Sequence, residues 1–268
     1  MLSIDGVHIT NDLGLKLLPD SSEPMLPETR DSSIVIPGMH GQHSFQSYLG
    51  ARVLTPSILI PTQAMYHEVQ RIVRNVSKLI LDDWGRPKEV ELIYDYEPDM
   101  FYRAKYSGNI DVNRIYKLGM FPIPFVADKP WAIATVENHE INWGSDKITF
   151  KAPYSFRTVA INDELITSPK TLETYINGYA LRPTIIISGS GNNVTFRANG
   201  KSFSLKNFSN SSFVINGENY TILKNGANGY GEKVGKNFLE LLPGMNQVQI
   251  TGDSMNFNLA IIVRDQYM

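Results

Sequence analysis

The chain has 268 residues, of which 42% are hydrophobic and 19% charged, and this composition suits one large domain or two smaller ones with substantial cores. Its formal net charge of −2 predicts no strong electrostatic attraction to nucleic acid or to an anionic membrane. The absence of cysteine excludes disulfides, thiol nucleophiles and thiolate metal sites, and it fits assembly in a reducing cytosol.

The first 60 residues predict a hairpin, an extended segment and a strand. Alternating apolar residues on either side of Asp5 and Gly6 are a strong signal for a short hairpin. Residues 19–33 contain three prolines and many small polar residues, which predict a loop or an extended arm with no core of its own. A β-branched run at residues 34–36 ends in a Pro-Gly turn, and residues 52–60 predict a strand that leads to a helix.

Residues 62–80 carry a long helical pattern. Their apolar side chains recur with the i, i+3, i+4, i+7 spacing that makes one stripe on a helix. The stripe consists of Met65, Tyr66, Val69, Ile72, Val73, Val76, Leu79 and Ile80. Thr62, after a proline, provides the start signal, and residues 82–87 provide the stop. Because one amphipathic helix cannot bury its stripe alone, we expect it to lie on a sheet in an N-terminal α+β domain.

Strands and turns follow the helix. Residues 90–96 predict a strand, residues 97–99 a turn, and residues 100–110 the return strand. Residues 117–126 predict a further strand, in which two prolines indicate an edge or a bulged position.

The pattern changes after residue 131. Residues 136–180 are mixed, with short strand candidates at 147–150 and 159–161 and a turn at 162–163. From residue 182 onward, short apolar runs alternate with turns rich in Gly, Asn and Ser. The runs predict strands at 183–188, 193–197, 201–206, 212–215, 219–223, 237–241, 246–251 and 256–263. Short strands at this spacing are typical of a β-sandwich or jelly roll.

Two groups of side chains raise the question of chemistry. His40 and His43 could both contact a metal, or they could belong to an ordinary polar loop, since a usable site needs three or four ligands. Asp95, Glu97 and Asp99 could serve acid–base chemistry or hold Ca²⁺, but a solvated turn explains them better. We therefore predict no catalytic residue, no metal and no cofactor. The amino terminus shows no signal peptide and no apolar run reaches about 18 residues, so we also expect no membrane insertion.

Aromatic residues leave a further possibility open. On the surface of a β-sandwich they can stack on sugar rings, whereas aromatic residues at strand positions usually belong to the core. The residues in question are Trp131, Trp143, Phe196, Phe203, Phe208, Phe213, Tyr220 and Tyr230.

Taken in order, these elements resemble the distal tail protein (Dit) family of siphophages, the long-tailed, non-contractile phages of Gram-positive bacteria. In the N-terminal half, the resemblance lies in the turn, the helix, the hairpin and the closing segment at residues 36–41, 62–80, 94–104 and 121–131. In the C-terminal half, it lies at residues 177–178, 182–185 and 238–248, which are similar to the galectin-like or carbohydrate-module-like sandwich of that family. Residues 136–180 match only weakly.

This resemblance implies a structural protein of the virion, present at the tail tip or baseplate and assembled in the cytoplasm of the bacterial host. It implies a homohexameric ring of head-to-tail belt domains between the tail tube protein and the tip or baseplate protein. DNA would pass through the central channel only as cargo. The sandwich domains would project outward, where a receptor-binding protein or a host glycan could dock. The protein itself would not be an enzyme.

We therefore expect a mainly β chain with one long helix and two domains. Residues 1–139 would form the ring-forming α+β belt domain, built of sheets or a split barrel plus the helix. Residues 140–268 would form the galectin-like or jelly-roll sandwich, with the boundary somewhere within residues 130–180. The candidate contacts for the ring or for partners are Pro37, Gly38, His40, Tyr96, Glu97, Asp99 and Tyr102.

Closing a ring needs two different, complementary faces on each subunit. A sheet edge left open within residues 90–126 could be capped by a strand or arm of a neighbour, and residues 19–33 are a candidate arm. Two other functions stay open. One is a carbohydrate-binding module that uses residues 180–268 for host attachment, and the other is an enzyme such as a glycosidase that uses Asp95, Glu97 or Asp99.

Overall fold

The computed structural model describes residues 1–61, 66–110, 113–115, 118–148, 152–155 and 160–268. The chain divides into two compact units, residues 1–133 together with Met268, and residues 134–267. Both units are mainly antiparallel β-structure, which confirms the predicted fold class. The predicted domain boundary at residue 139 stays a prediction.

Short strands and one long helix make up the first unit as described. Before the helix come β1 (Leu2–Ile4), β2 (Val7–His8), β3 (Lys16–Leu17), β4 (Thr29–Arg30), β5 (Ser33–Ile34), β6 (His43–Ser44), β7 (Tyr48–Leu49), β8 (Arg52–Leu54) and β9 (Ser57–Ile60). The helix α1 (Tyr66–Ile80) is followed by β10 (Glu89–Tyr94), β11 (Met100–Tyr106), β12 (Asn113–Ile115), β13 (Leu118–Pro122), β14 (Phe125–Ala127) and β15 (Ala132–Ala134). One sheet has the order β2-β1-β10-β11-β14-β8, and a second has the order β12-β13-β9-β3.

The predicted hairpin and helix are both present. Asp5 and Gly6 have φ values of 48° and 77°, the left-handed backbone that a two-residue hairpin turn requires. Val69, Val76 and Ile80 of α1 are buried in one core with residues of both sheets, so the apolar stripe faces the sheets as predicted. Residues 62–65, which include the predicted start of the helix, lie outside the described residues.

Two of the predicted strands each break into two. Residues 52–60 form β8 and β9 in different sheets, and residues 118–126 of the other predicted strand form β13 and β14 in the same two sheets. Its first residue, 117, lies outside the described residues. The breaks lie opposite each other, where the Ile123 amide donates to the Pro56 carbonyl over 3.0 Å. Proline has no amide that could donate to the next strand of a ladder. Both segments of the chain therefore turn at this point, and each pairs in one sheet before the turn and in the other sheet after it. The prediction of two continuous strands is wrong at these prolines.

Residues 28–50 form a projecting two-stranded element, called the arm below. Strand β4 pairs with β7, and β5 pairs with β6. The Gly50 amide donates to the Glu28 carbonyl over 2.7 Å, and the Phe45 amide donates to the Ser32 carbonyl over 2.8 Å. The expectation of an extended arm without a core is therefore correct in kind, but the arm begins and ends later than residues 19–33.

The expected open edge within residues 90–126 is largely absent from the described sheets. Strands β10, β11, β13 and β14 each have a neighbour on both sides, and only β12 of that range lies at an edge. In the first sheet the edge strands are β2 and β8.

The second unit is a sandwich folded from two long strands. Its strands are β16 (Ile161–Ile166), β17 (Lys170–Ile176), β18 (Thr184–Ala198), β19 (Lys201–Leu205), β20 (Phe208–Asn216), β21 (Thr221–Lys224), β22 (Ala227–Asn228), β23 (Lys233–Val234), β24 (Gly244–Ile262) and β25 (Gln266–Tyr267). Two single-turn 3₁₀ helices lie at Asn138–Glu140 and Tyr230–Glu232. The first half of β18 pairs with β20 and the end of β24, whereas its second half pairs with β19 and the beginning of β24. Each long strand thus contributes to both layers.

A glycine lets β18 pass from one layer to the other while it stays paired with β24. A Cβ at Gly189 would lie 2.3 Å from the Asn256 carbonyl oxygen, and its φ is 145°. Only a residue without a side chain fits so close to β24. Between the layers the rings of Phe196 and Phe203 stack with centroids 5.3 Å apart, so these strand aromatics belong to the core.

Several strand predictions in this unit need correction. The predicted pairs of strands at 183–188 and 193–197, and at 246–251 and 256–263, are the two long strands β18 and β24. The predicted strand at 237–241 contributes only a single bridge between Leu181 and Leu241. The predicted turn at 162–163 lies inside β16, and β17 was not predicted. Residues 149, 150 and 159 of the two short candidates lie outside the described residues.

Candidate functional site

Three tyrosines surround the turn that joins β10 to β11. Tyr94 and Tyr96 stack with ring centroids 5.2 Å apart, and Tyr102 meets Tyr94 edge-on at 6.4 Å. The turn is closed by the Glu97 amide, which donates to the Tyr94 carbonyl, and by the Met100 amide, which donates to the Glu97 carbonyl. The predicted hairpin therefore holds an aromatic wall in a fixed position.

A buried arginine lies against this wall. Arg52 begins β8 and is only 3% exposed, because strand alternation turns it inward. Its guanidinium carbon lies 5.0 Å from the centre of the Tyr102 ring, and it donates to the Tyr102 hydroxyl over 3.1 Å. It also donates to the carbonyls of Pro24 (3.2 Å), Met25 and Pro130 (3.3 Å). An aromatic face, a hydroxyl and three carbonyl dipoles thus compensate for the loss of water around the charge.

These contacts fix the chain just before the arm. The Tyr96 hydroxyl donates to the Glu23 carboxylate, and Arg52 binds the backbone of the next two residues. Ser22 and Thr55 exchange backbone hydrogen bonds of 3.0 and 2.8 Å. Residues 22–25 are therefore held through their backbone and side chains, and the arm projects from an anchored base.

Burial raises the pKa of two carboxyl groups in the turn, those of Glu97 and Asp99. For Glu97 the loss of solvent is the largest cause, which the Arg52 guanidinium opposes and the Asp99 carboxylate reinforces. For Asp99 the cause is burial. Burial also raises the pKa of the Tyr96 and Tyr102 hydroxyls, which favours their protonated form. The turn is thus less solvated at Glu97 and Asp99 than the sequence predicts.

The other predicted contacts lie at the far end of the arm. Pro37 and Gly38 occupy the middle of a turn in which the Met39 amide donates to the Ile36 carbonyl over 3.0 Å. Gly38 has a φ of 87°, as the second central residue of such a turn requires. His40 follows the turn and is exposed. The seven predicted residues therefore form two groups, one at the tip of the arm and one beside its base.

The arm carries many exposed apolar side chains. Val35 is 68% exposed and Phe45 is 54% exposed. The full set with large exposed fractions is Ile34, Val35, Ile36, Met39, Phe45 and Tyr48. Clustered apolar exposure of this kind is typical of interaction surfaces.

Sequence reasoning missed Arg52, Glu23 and the carbonyls that Arg52 binds. A signal was present, because Arg52 and Leu54 both occupy inward positions of an alternating strand. A charged residue at an inward position needs a built set of acceptors.

The carboxylates of the turn have different neighbours. Asp95 lies 3.1 Å from His8 and 3.8 Å from the amino terminus, whereas Glu97 interacts with Arg52 and with Asp99. In the part of the chain that the structure describes, no three His, Asp or Glu side chains converge in a way that could hold a metal. No helix of the described residues is long and apolar enough to cross a membrane.

Comparison with known proteins finds one family model and several similar structures. Residues 10–127 match the family model described as phage tail protein RIFT-related domain. Over its full length the chain is similar to the Dit protein of phage SPP1, which is described as a paradigm of the hub adsorption apparatus in phages that infect Gram-positive bacteria. The identity is 13%, the alignment covers 100% of this chain and 98% of that one, and the TM-score is 0.69.

Two structures of the phage p2 baseplate in its activated conformation, with Ca and with Sr, are similar at 8% and 10% identity. Each alignment covers 97% of this chain and 93% of the other, with TM-scores of 0.47 and 0.42. No curated protein sequence matches the chain.

Residues 10–127 thus match a phage tail domain family. The chain as a whole has the fold of the SPP1 Dit protein, and this confirms the predicted resemblance to siphophage distal tail proteins.

Proposed function

We propose that the protein is a structural distal tail protein of a long-tailed, non-contractile phage or prophage. Six copies form a ring that joins the tail tube protein to the tip or baseplate protein, and DNA passes through its centre. The second units lie at the periphery and dock receptor-binding parts. The phage tail family of residues 10–127 and the Dit fold of the whole chain support this proposal.

The observation that carries the proposal is the arm. Its apolar side chains are exposed along most of its length, although its base is anchored by Arg52 and by the pairing of Ser22 with Thr55. An anchored element loses less conformational freedom when it binds than a flexible one does. The arm therefore suits insertion into the next subunit of a ring.

A ring also needs a second face that receives the arm. The described edges of the first sheet, β2 and β8, leave unpaired backbone groups that an added strand could satisfy. Val53 of β8 is exposed and could pack against apolar side chains of such a strand. The arm of one copy and an edge strand of the next would then form the head-to-tail contact.

The charge of the chain is compatible with DNA as passing cargo. A net charge of −2 supplies no excess of cations for lasting phosphate contacts. Because each phosphate contact releases counterions and adds affinity, a channel rich in lysine and arginine would retain the DNA.

Light scattering on the purified full-length chain over a range of concentrations tests the ring. We expect a mass that reaches six times 30.1 kDa. Val35→Asp in the arm should lower that mass toward the monomer, because it places a charge inside the proposed contact. Val234→Asp is the matched control, since Val234 is also an exposed valine but belongs to the second unit.

Two results would contradict the proposal. One is a chain that stays monomeric at every concentration and also in the presence of the assembled tail tube. The other is an oligomer whose mass Val35→Asp leaves unchanged.

A further inference from the structure

The second unit contains a polar cleft on the outer surface of one layer of its sandwich. Its volume is about 520 Å³, within the roughly 300–1,000 Å³ typical of ligand sites. It lies over β18 and the beginning of β24. The lining residues are Arg197, Ala198, Asn199, Gly200, Met245, Gln247 and Gln249.

A buried asparagine fixes both walls of the cleft. Asn246 is 2% exposed, and its side-chain amide donates to the carbonyls of Leu242 (2.7 Å) and Gly244 (2.9 Å). Its side-chain oxygen accepts from the Leu242 amide over 2.8 Å and from the Asn199 side chain over 2.6 Å. The turn after β18 and the loop before β24 are therefore tied to each other, and the cleft is a built feature of the sandwich.

Three of the polar side chains that line the cleft are uncommitted. Arg197, Gln247 and Gln249 are exposed, and within the described part of the chain their side chains make no hydrogen bond or ion pair. In the next row of the same layer, by contrast, Thr195 and Ser204 bond to each other over 2.7 Å. The cleft thus gathers three long side chains that can bond to a guest.

The types of these side chains indicate the chemistry of that guest. Each glutamine amide offers one acceptor oxygen and two donors, and the guanidinium of Arg197 can donate to two neighbouring oxygens at once. Sugar hydroxyls both donate and accept, so amides match them better than a purely cationic lining would. Glu173 faces Gln247 across the strand pair and places a carboxylate beside the cleft, which disfavours an anionic polymer.

An apolar surface lies at one end of the cleft. Met245 is 54% exposed, and Tyr175 lies directly opposite it on the same face of the sheet. The half-buried ring of Tyr175 and the thioether of Met245 can contact the C–H face of a sugar ring. The polar side chains of the cleft that can bond to hydroxyls therefore lie beside an apolar surface.

We propose that this cleft binds a neutral saccharide, with Arg197, Gln247 and Gln249 bonding to its hydroxyls and Met245 and Tyr175 contacting its apolar face. The inference does not depend on ring formation, because the whole cleft lies within one chain. It gives the second unit a binding activity beyond the docking of proteins. It also places that activity away from the aromatic residues that the sequence suggested, of which Phe196, Phe203, Phe208 and Phe213 are core residues.

Saturation-transfer NMR and calorimetry on the full-length chain test the inference. The probes are glucose, galactose, rhamnose and N-acetylglucosamine, together with their short oligomers and a glycerol-phosphate polymer as the anionic alternative. We expect at least one neutral saccharide to bind. Arg197→Ala combined with Gln249→Ala should weaken that binding about tenfold or more, since at least two hydrogen bonds are lost.

The control is Arg74→Ala, which removes the same charge from the exposed face of α1 and should leave binding unchanged. Thermal unfolding of the double variant should match the wild type, because the two side chains make no contact that holds the fold. The proposal is overturned if no neutral saccharide binds, if only the anionic polymer binds, or if the double variant binds as tightly as the wild type. Each of these results can be read whether or not the chain forms a ring.

Discussion

Replacing Arg52 by methionine tests whether this residue anchors the base of the arm. Methionine keeps the apolar stem but removes the donors to the Tyr102 hydroxyl and to three carbonyls, those of Pro24, Met25 and Pro130. Hydrogen bonds from a charged donor contribute about 1.5–3 kcal/mol each when the partner cannot reach water. Met25 is 87% exposed and its carbonyl can turn to solvent, so the bonds do not add in full. We expect the first unit to lose about 3 kcal/mol of stability.

Hydrogen exchange measured by mass spectrometry is the suitable assay, because the two units need not unfold together and a single melting curve would mix them. Backbone amides of residues 21–30 should exchange much faster in the variant than in the wild type. Amides of the second unit, residues 160–268, should keep their protection. Urea unfolding would then give the size of the loss.

Arg103→Met is the matched control on the neighbouring strand β11. Arg103 is partly exposed, and its one described ion pair, with Glu91, is long at 3.9 Å. Its replacement should cost less than about 1 kcal/mol and leave the exchange of residues 21–30 unchanged. If Arg52→Met and Arg103→Met gave the same exchange pattern, the buried guanidinium would not anchor the arm.

Two further substitutions test the sandwich. Gly189→Ala should destabilise the second unit by about 3 kcal/mol or more, since the new Cβ would meet the Asn256 carbonyl oxygen at 2.3 Å; Gly231→Ala, where a Cβ meets nothing within 4 Å, should cost little in the same urea titration. Asp265→Asn tests a pH dependence. Burial raises the pKa of the Asp265 carboxyl, although this group accepts a hydrogen bond from the Asn177 amide. The contribution of Asp265 to stability is therefore fully present below the pKa of the unfolded state, and it is lost as pH rises through the pKa of the folded state. The wild type should therefore lose stability over that pH range, whereas an equal loss in Asp265→Asn would refute the assignment.

The elements that the sequence predicts correctly are those with a local cause. Asp5-Gly6 makes a hairpin because two adjacent residues adopt positive φ, and the stripe of α1 makes a helix because its period is set within a few turns. The turn at residues 97–99 is local in the same way. None of these depends on which strand lies beside which.

The elements that the sequence misses depend on distant partners. In the sequence, Pro56 looks like an interruption of one strand. Only its contact with Ile123 shows that two segments of the chain turn at the same place. Likewise, Gly189 and Gly191 read as a turn between two short strands, although the pairing of β18 with β24 continues past them. A glycine that permits close approach and a glycine that ends a strand look the same in a sequence.

The residues of the candidate site likewise differ in whether their roles have a local cause or depend on distant partners. The residues at the tip of the arm and in the turn after β10 could be named from the sequence, because turns have local signatures. Arg52 could not, since its role rests on carbonyls that are 27, 28 and 78 residues away in the chain. Which partner covers the arm depends on a second molecule, and one chain's pattern carries no direct signal for it.

The joint presence of an exposed arm and a buried arginine has a physical reason in the proposed ring. An arm with apolar side chains gains from binding, but it would lose much of that gain if its base were free to move before binding. Arg52 and Tyr96 remove this freedom within the folded chain. The conformational entropy of the base is therefore lost during folding and does not weaken assembly. The buried guanidinium of Arg52 would therefore strengthen the contact between the arm and the next subunit, although it is not part of that contact. Arg52→Met should accordingly weaken the oligomer as well as the first unit, and Arg103→Met should do neither.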